Sequence, residues 1–278
     1  MKSIYVIGIT IVLGAAAIVG YCSCQTGSND EPNVTPTPPI AEPVPTTPTA
    51  AELEEVVIPE DVTNQMVDYH GFTVGFNADA HNPNYVVWTL TAEHTDGPYN
   101  RDDVDFQEDP RVKGCAKLSD YKRSGYDRGH MAPAADMKWS HQSMIDCHYL
   151  TNMCPQINSV NAGPWASLET ACRKWAKKFG YVIIVSGPVL SDKITRTIGD
   201  SKVLVPERFF KVVLAPEAET PMGIGFIMPN SAFDGGYGST VVTIDQVESI
   251  TGFDFYSALP DDIEAAVESD AKLHYWNY

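Results

Sequence analysis

Gly125-Tyr126-Asp127-Arg128-Gly129-His130-Met131-Ala132-Pro133 is the stretch on which the reading of this chain turns. Asn161 follows His130 by 31 residues, and Glu169 follows Asn161 by eight. A second block, Leu150-Thr151-Asn152-Met153-Cys154-Pro155-Gln156, lies between them, and Trp165 and Leu168 precede Glu169. An imidazole titrates near neutrality, a guanidinium is always charged, and amide and carboxylate oxygens are hard donors. Together these groups are what metal-assisted cleavage of a phosphodiester requires.

The surrounding sequence predicts the elements that would carry them. Over residues 161–179, Trp165, Leu168, Cys172, Trp175 and Phe179 recur at three- and four-residue steps. That is one apolar helix stripe, with Arg173, Lys174, Lys177 and Lys178 largely on the other side. Pro164 fits only a first turn, so the helix should begin near Asn161. Asn161, Trp165 and Glu169 then share a ridge, and the amide and carboxylate face one metal site. Asn161 equally suits a helix N-cap, and Glu169 an exposed helix position. Residues 69–78 and 85–91 cluster Val, Phe, Tyr and Trp on either side of Asn82-Pro83-Asn84 and predict a pair of strands. Residues 140–149 predict a helix, and 181–185 a buried strand bounded by Gly187-Pro188. Further strands are expected at 209–214, 223–228 and 240–244.

Asp127-Arg128-Gly129-His130 resembles the signature of the DNA/RNA non-specific endonucleases, the endonuclease G-like branch of the ββα-metal (His-Me finger) superfamily. Four residues alone weigh little. The block from Leu150 to Gln156, followed by Asn161, Trp165, Leu168 and Glu169, is similar to that family's second block in residue type and spacing. The run from Val247 to Phe255 with Leu259-Pro260 is similar to its closing segment, so the resemblance covers residues 69–260. It implies an α+β fold with a central antiparallel sheet flanked by helices, and the motif on a short hairpin leading into a helix. It also implies a Mg²⁺ cofactor, with Mn²⁺ as a substitute, and cleavage of DNA and RNA with little base preference.

Roles follow residue by residue as what the resemblance implies. His130 is the general base and Asn161 the metal ligand. Glu169 acts through a metal-bound water. Arg101, upstream of Asp109-Pro110, reaches the scissile phosphate, with Arg111 as a competitor for that role. Arg128 contacts phosphate or a carboxylate, and Asp127 orients backbone around the hairpin. Asn152 supports His130 or the metal water. A protective inhibitor protein is a partner compatible with such an enzyme. The rival reading is a catalytically silent surface-binding or adhesion module that kept the fold.

Charge bears on the substrate. A net charge of −17 over 278 residues argues against a polyanion partner. Its distribution reverses that impression, because residues 111–180 hold 11 Lys/Arg against 5 Asp/Glu and form the only basic island. The coincidence with the motif favours phosphate contact, while Arg173 and the lysines near it also suit the exposed side of a helix.

The N-terminus reads separately. An apolar run over residues 4–21 ends at Cys22-Ser23-Cys24, which resembles a lipoprotein processing site with Cys22 or Cys24 lipidated. An uncleaved anchor and an ordinary signal peptide are the alternatives for residues 1–24. Each of these readings predicts export, to the envelope or beyond. Residues 25–57, rich in Pro, Thr, Glu and Ala, read as a disordered tether, and 58–278 as the endonuclease domain. In an exported domain Cys115, Cys147, Cys154 and Cys172 predict up to two disulfides, with three pairings open. Cys147, His148 and Cys154 match no common zinc spacing.

Overall fold

Strand propensity and burial coincide in the middle of the chain, and the rest of the fold is arranged around that region. The structure is a computed structural model and describes residues 47–191 and 193–277. The leader and the first part of the tether therefore lie outside the described residues. In chain order the strands are β1 (Val56–Val57), β2 (Gln65–Tyr69), β3 (Phe72–Asn77), β4 (Asn82–Thr91), β5 (Asp127–His130), β6 (Met153–Gln156) and β7 (Tyr181–Pro188). They continue with β8 (Thr197–Ile198), β9 (Val203–Leu204), β10 (Arg208–Ala215), β11 (Met222–Pro229), β12 (Val241–Val242) and β13 (Asp254–Phe255). The helices are α1 (Ala50–Leu53), α2 (Leu118–Tyr121), α3 (His141–Asp146), α4 (Asn158–Val160), α5 (Ala166–Phe179), α6 (Ile244–Thr251), α7 (Asp261–Glu268) and α8 (Leu273–Trp276).

Seven strands form one antiparallel sheet in the order β12-β11-β10-β7-β4-β3-β2. Its middle strands are apolar at nearly every position because both faces are covered, and the period of two sends alternate side chains to different cores. Val182, Ile184, Phe209 and Val213 face the core shared with α5, which contains Trp165, Leu168 and Trp175. Ile183, Val185, Phe210 and Val212 face the opposite core, closed by α6 and α7 through Ile244, Val247 and Val267. Burying each such side chain contributes roughly 1.5–3 kcal/mol. The α+β sheet expected from the sequence is thus observed.

Three expectations need correction. First, residues 69–78 do not form one strand, because the chain turns at Gly71 (φ +105) and splits the segment between β2 and β3. A φ in that region favours glycine, and β2 alternates exposed and buried positions as an edge strand does. Second, folded structure begins before residue 58. Thr49 and Glu52 cap α1 reciprocally, Leu53 is 1% exposed, and β1 pairs with β13 through Val56↔Phe255. Leu53 and Val56 supply the apolar contact that the tether composition otherwise lacks.

Third, the four cysteines form no disulfide; Cys147, Cys154 and Cys172 are buried and Cys115 partly so. They act as small core side chains. Burial pushes the Cys172 thiol up to about 12 and Cys115 to about 11.

Candidate active site

The motif is strand β5, paired antiparallel with β6 so that Gly129 faces Cys154 and His130 faces Met153. Gly129 is required by packing, since a Cβ there would collide with the amide end of Gln156 on the facing strand. The hairpin arms are not joined by a tight turn; α3, N-capped by Ser140, lies between them. Asn152 braces the connection. It is fully buried, its Oδ1 accepts from Ala132 N (2.9 Å), and its Nδ2 donates to the carbonyls of Ala132 and Cys147 (both 2.9 Å). Its amide is thereby bonded to backbone at both ends, so it supports the segment after His130.

His130 is 8% exposed, between Phe106 at 5.4 Å and His148 at 5.2 Å between ring centroids. Its carbonyl accepts from Trp165 Nε1 (3.1 Å), which fastens the strand to the start of the helical segment. Burial holds the imidazole well below its ordinary pKa, and the charges of His148, Arg101 and Arg128 act in the same direction. The ring is therefore neutral at pH 7, the form that accepts a proton. His148 Nδ1 lies 2.7 Å from Met144 O, which puts its ring proton there and leaves Nε2 an acceptor. The Nε2 atoms of both histidines are buried without a hydrogen-bond partner.

The entry to α5 departs from the sequence expectation. Asn158–Val160 make one helical turn, Asn161–Trp165 a wider π-type turn, and the chain kinks at Gly163 (φ −106, ψ −112) before α5. Pro164 has no N–H to donate, so a regular ladder cannot pass through it. Asn161 sits inside this turn with helical dihedrals and is not an N-cap. Its Nδ2 donates to Asp127 Oδ2 (3.0 Å), and Asn158 Nδ2 donates to the same oxygen (2.9 Å). Asp127 is therefore a clamp on Asn161. With the amide nitrogen engaged, the planar group turns its oxygen the other way.

Arg101, Phe106, Tyr126, Lys122, Arg128 and Asn161 line an open cleft of ≈ 520 Å³ with Asp127 at its wall. The Arg128 guanidinium stacks on Phe106, 4.2 Å from the ring centroid, and among the described residues carries no ion pair. Arg111 is elsewhere: it forks onto Asp109 (2.6 and 2.9 Å) and lies over Tyr69 and Tyr149. Of the two arginines, only Arg101 lines the cleft. Its charge also acts on His130, His148 and Glu169, which gathers these groups around one locus.

Glu169 is half-buried, and burial pushes its carboxyl up to about 7 against the opposing pull of Lys211. Lys211 is fully buried on β10, with Nζ 4.5 Å from the Trp165 ring centroid. The basic face of α5 does not serve the cleft as the sequence suggested. Arg173 pairs with buried Asp136 (2.9 Å), Lys177 with Asp96 (3.3 Å), and Lys178 donates to the carbonyls of Tyr275 and Asn277.

Sequence reasoning missed Phe106, Lys122, Tyr126, Lys211 and the clamping role of Asp127, and weighed His148 only as a zinc ligand. A buried Lys within an apolar strand was the one signal available beforehand.

Two donor sets are present. Asn161, on the cleft, offers a single hard oxygen, which fits a cation that keeps several waters, as Mg²⁺ does. His130, Cys147 and His148 place ligand atoms within 4.8 Å of one another, a softer set that replaces the Cys147, His148 and Cys154 combination.

The sequence profile of the DNA/RNA non-specific endonuclease family matches residues 49–262. Nuclease 1, mitochondrial, of Schizosaccharomyces pombe is 35% identical over 223 residues, covering 73% of this chain and 69% of that protein. Nuclease EXOG, mitochondrial, of Xenopus laevis is 34% identical over 269 residues, covering 90% and 73%. A solved structure titled as the EndoG/EndoGI complex superposes with a TM-score of 0.69 at 26% identity, covering 77% of this chain and 94% of that one. With a family profile spanning most of the sequence, the chain belongs to the DNA/RNA non-specific endonucleases and so to the hydrolytic nucleases.

Proposed function

We propose that this chain is a Mg²⁺-dependent endonuclease that hydrolyses phosphodiester bonds in DNA and RNA with little base preference. The observation that carries the reading is a neutral, buried His130 imidazole beside a cleft lined by Arg101, Arg128 and Asn161. His130 takes the proton of the attacking water. Arg101 and Arg128 bind the phosphate, and their guanidinium charge opposes the charge that grows on the phosphorane. Asn161 holds the cation, and Glu169 orients its waters. When bound, the cation supplies charge to the departing 3′ oxygen. Asn152 positions the hairpin without touching the reacting atoms. No observation favours the silent adhesion module.

The test is digestion of supercoiled plasmid and of RNA by the purified chain, with Mg²⁺, with Mn²⁺ and with EDTA. Nicked and linear products that need the metal are expected, and intact plasmid in both metals would end the enzyme reading. Export on the 1–24 leader, with anchoring through a lipid on Cys22 or Cys24, belongs to the same proposal. Replacing each cysteine by serine should abolish fatty-acid labelling in one variant only. A dedicated inhibitor protein is a further proposed partner, because the solved relative was captured in a complex titled for inhibition.

A further inference from the structure

On the sheet face opposite His130, five carboxylates crowd together at the closing end of the fold. Asp245 and Glu248 lie on α6, Asp254 on β13, and Glu264 and Glu268 on α7. Ligand oxygens of Asp245, Glu248 and Glu268 are all within 4.8 Å of one another, and so are those of Asp254, Glu264 and Glu268. Glu268 is common to both triads.

This arrangement is unfavourable as it stands, for three separate reasons. Glu264 and Glu268 are four residues apart on one helix face, and Asp245 and Glu248 three apart, spacings at which like charges destabilise. Glu268 is the last residue of α7, the end at which the helix dipole disfavours an anion. It is also 9% exposed, and its buried Oε1 has no hydrogen-bond partner. Among the described residues none of the five forms an ion pair. Glu248 accepts one backbone bond, from Phe255 N (2.9 Å), which ties α6 to β13 but leaves the charge unopposed.

A hard divalent cation reverses all three costs at once. The geometry points to a Ca²⁺ site at Glu268, where the triad it forms with Asp245 and Glu248 of α6 meets the triad it forms with Asp254 of β13 and Glu264 of α7, so that the ion staples α6 and α7 to β13. Ca²⁺ takes six to eight oxygens in a flexible shell, which these carboxylates, mono- or bidentate, and water can supply, whereas Mg²⁺ demands a tight octahedron. Because β13 pairs with β1, the ion also fastens the first strand of the domain. The site is separate from the cleft, being on the other side of the seven-stranded sheet, so it stabilises the fold and takes no part in hydrolysis.

The test uses the full chain, stripped with chelator, in three forms: wild type, Glu268→Gln and Asn161→Ala. Calorimetric titration with Ca²⁺ alone is expected to give a Kd on the order of 10⁻⁴ M for wild type, with a rise in Tm. Asn161→Ala should behave identically. Glu268→Gln should bind at least tenfold more weakly. Its Mg²⁺-supported plasmid cleavage should be unchanged. Absence of any Ca²⁺-dependent rise in Tm in the wild type overturns the proposal. So does a rise that survives in Glu268→Gln and disappears in Asn161→Ala, which would assign the ion to the cleft. Neither result depends on whether the chain cuts DNA.

Discussion

At the scale of single residues, the catalytic argument rests on two groups whose environments move them in opposite directions. Burial and neighbouring positive charge keep His130 neutral below its ordinary range, so it contributes no titration near pH 7. Glu169 is pushed up to about 7 by burial. It is mostly protonated below that pH and ionised above, and only the ionised form holds a hydrated cation. Activity in limiting Mg²⁺ is therefore expected to rise through pH 7, and Glu169→Gln to be slower but flat across that window. A pH profile of kcat/KM checks this, and an unchanged acid limb in the variant counts against the assignment. His130→Ala should lower kcat by about 10²–10⁴-fold while leaving DNA affinity nearly intact, since loss of a base acts on the chemical step. Single-turnover kinetics and a binding isotherm on the same variant separate the two effects.

At the scale of elements, the hairpin and the helix after it carry the site, and they differ in how much the sequence disclosed. Asn152→Ala leaves buried backbone groups of Ala132 and Cys147 unpaired and should destabilise the fold by about 2–4 kcal/mol. Urea unfolding measures this, and a loss within the error of the wild type would mean that water replaces the amide. The helix over α5 was legible because its apolar stripe repeats every three or four residues. The strands β7, β10 and β11 were legible because covered strands are apolar throughout. The kink at Gly163 was not, since periodicity records which face is buried and says nothing of a ladder interrupted by Pro164. Likewise Asp127 and His148 reach the site through tertiary contacts, from a strand and a helix end that no local pattern links. The disulfide expectation failed because it rested on compartment and count, whereas the cysteines pack as core.

For the whole molecule, strong net negative charge and a basic cleft compete. Arg101, Lys122 and Arg128 are the cations that line the cleft, while Arg173 and Lys177 pair with Asp136 and Asp96. Three phosphate contacts give a slope of roughly −3 for log K against log salt on duplex DNA. A slope of roughly −5 would require the three α5 lysines at the interface as well, and salt-dependent binding to a short duplex distinguishes the two.

The pairing of β1 with β13 has a practical side for anyone who trims this protein. A fragment that starts at residue 58 discards Leu53 and bares the backbone edge of Asp254–Phe255, inviting a second molecule to fill the gap by swapping its own arm. A cut that leaves the folded part sound has to fall upstream of Thr49.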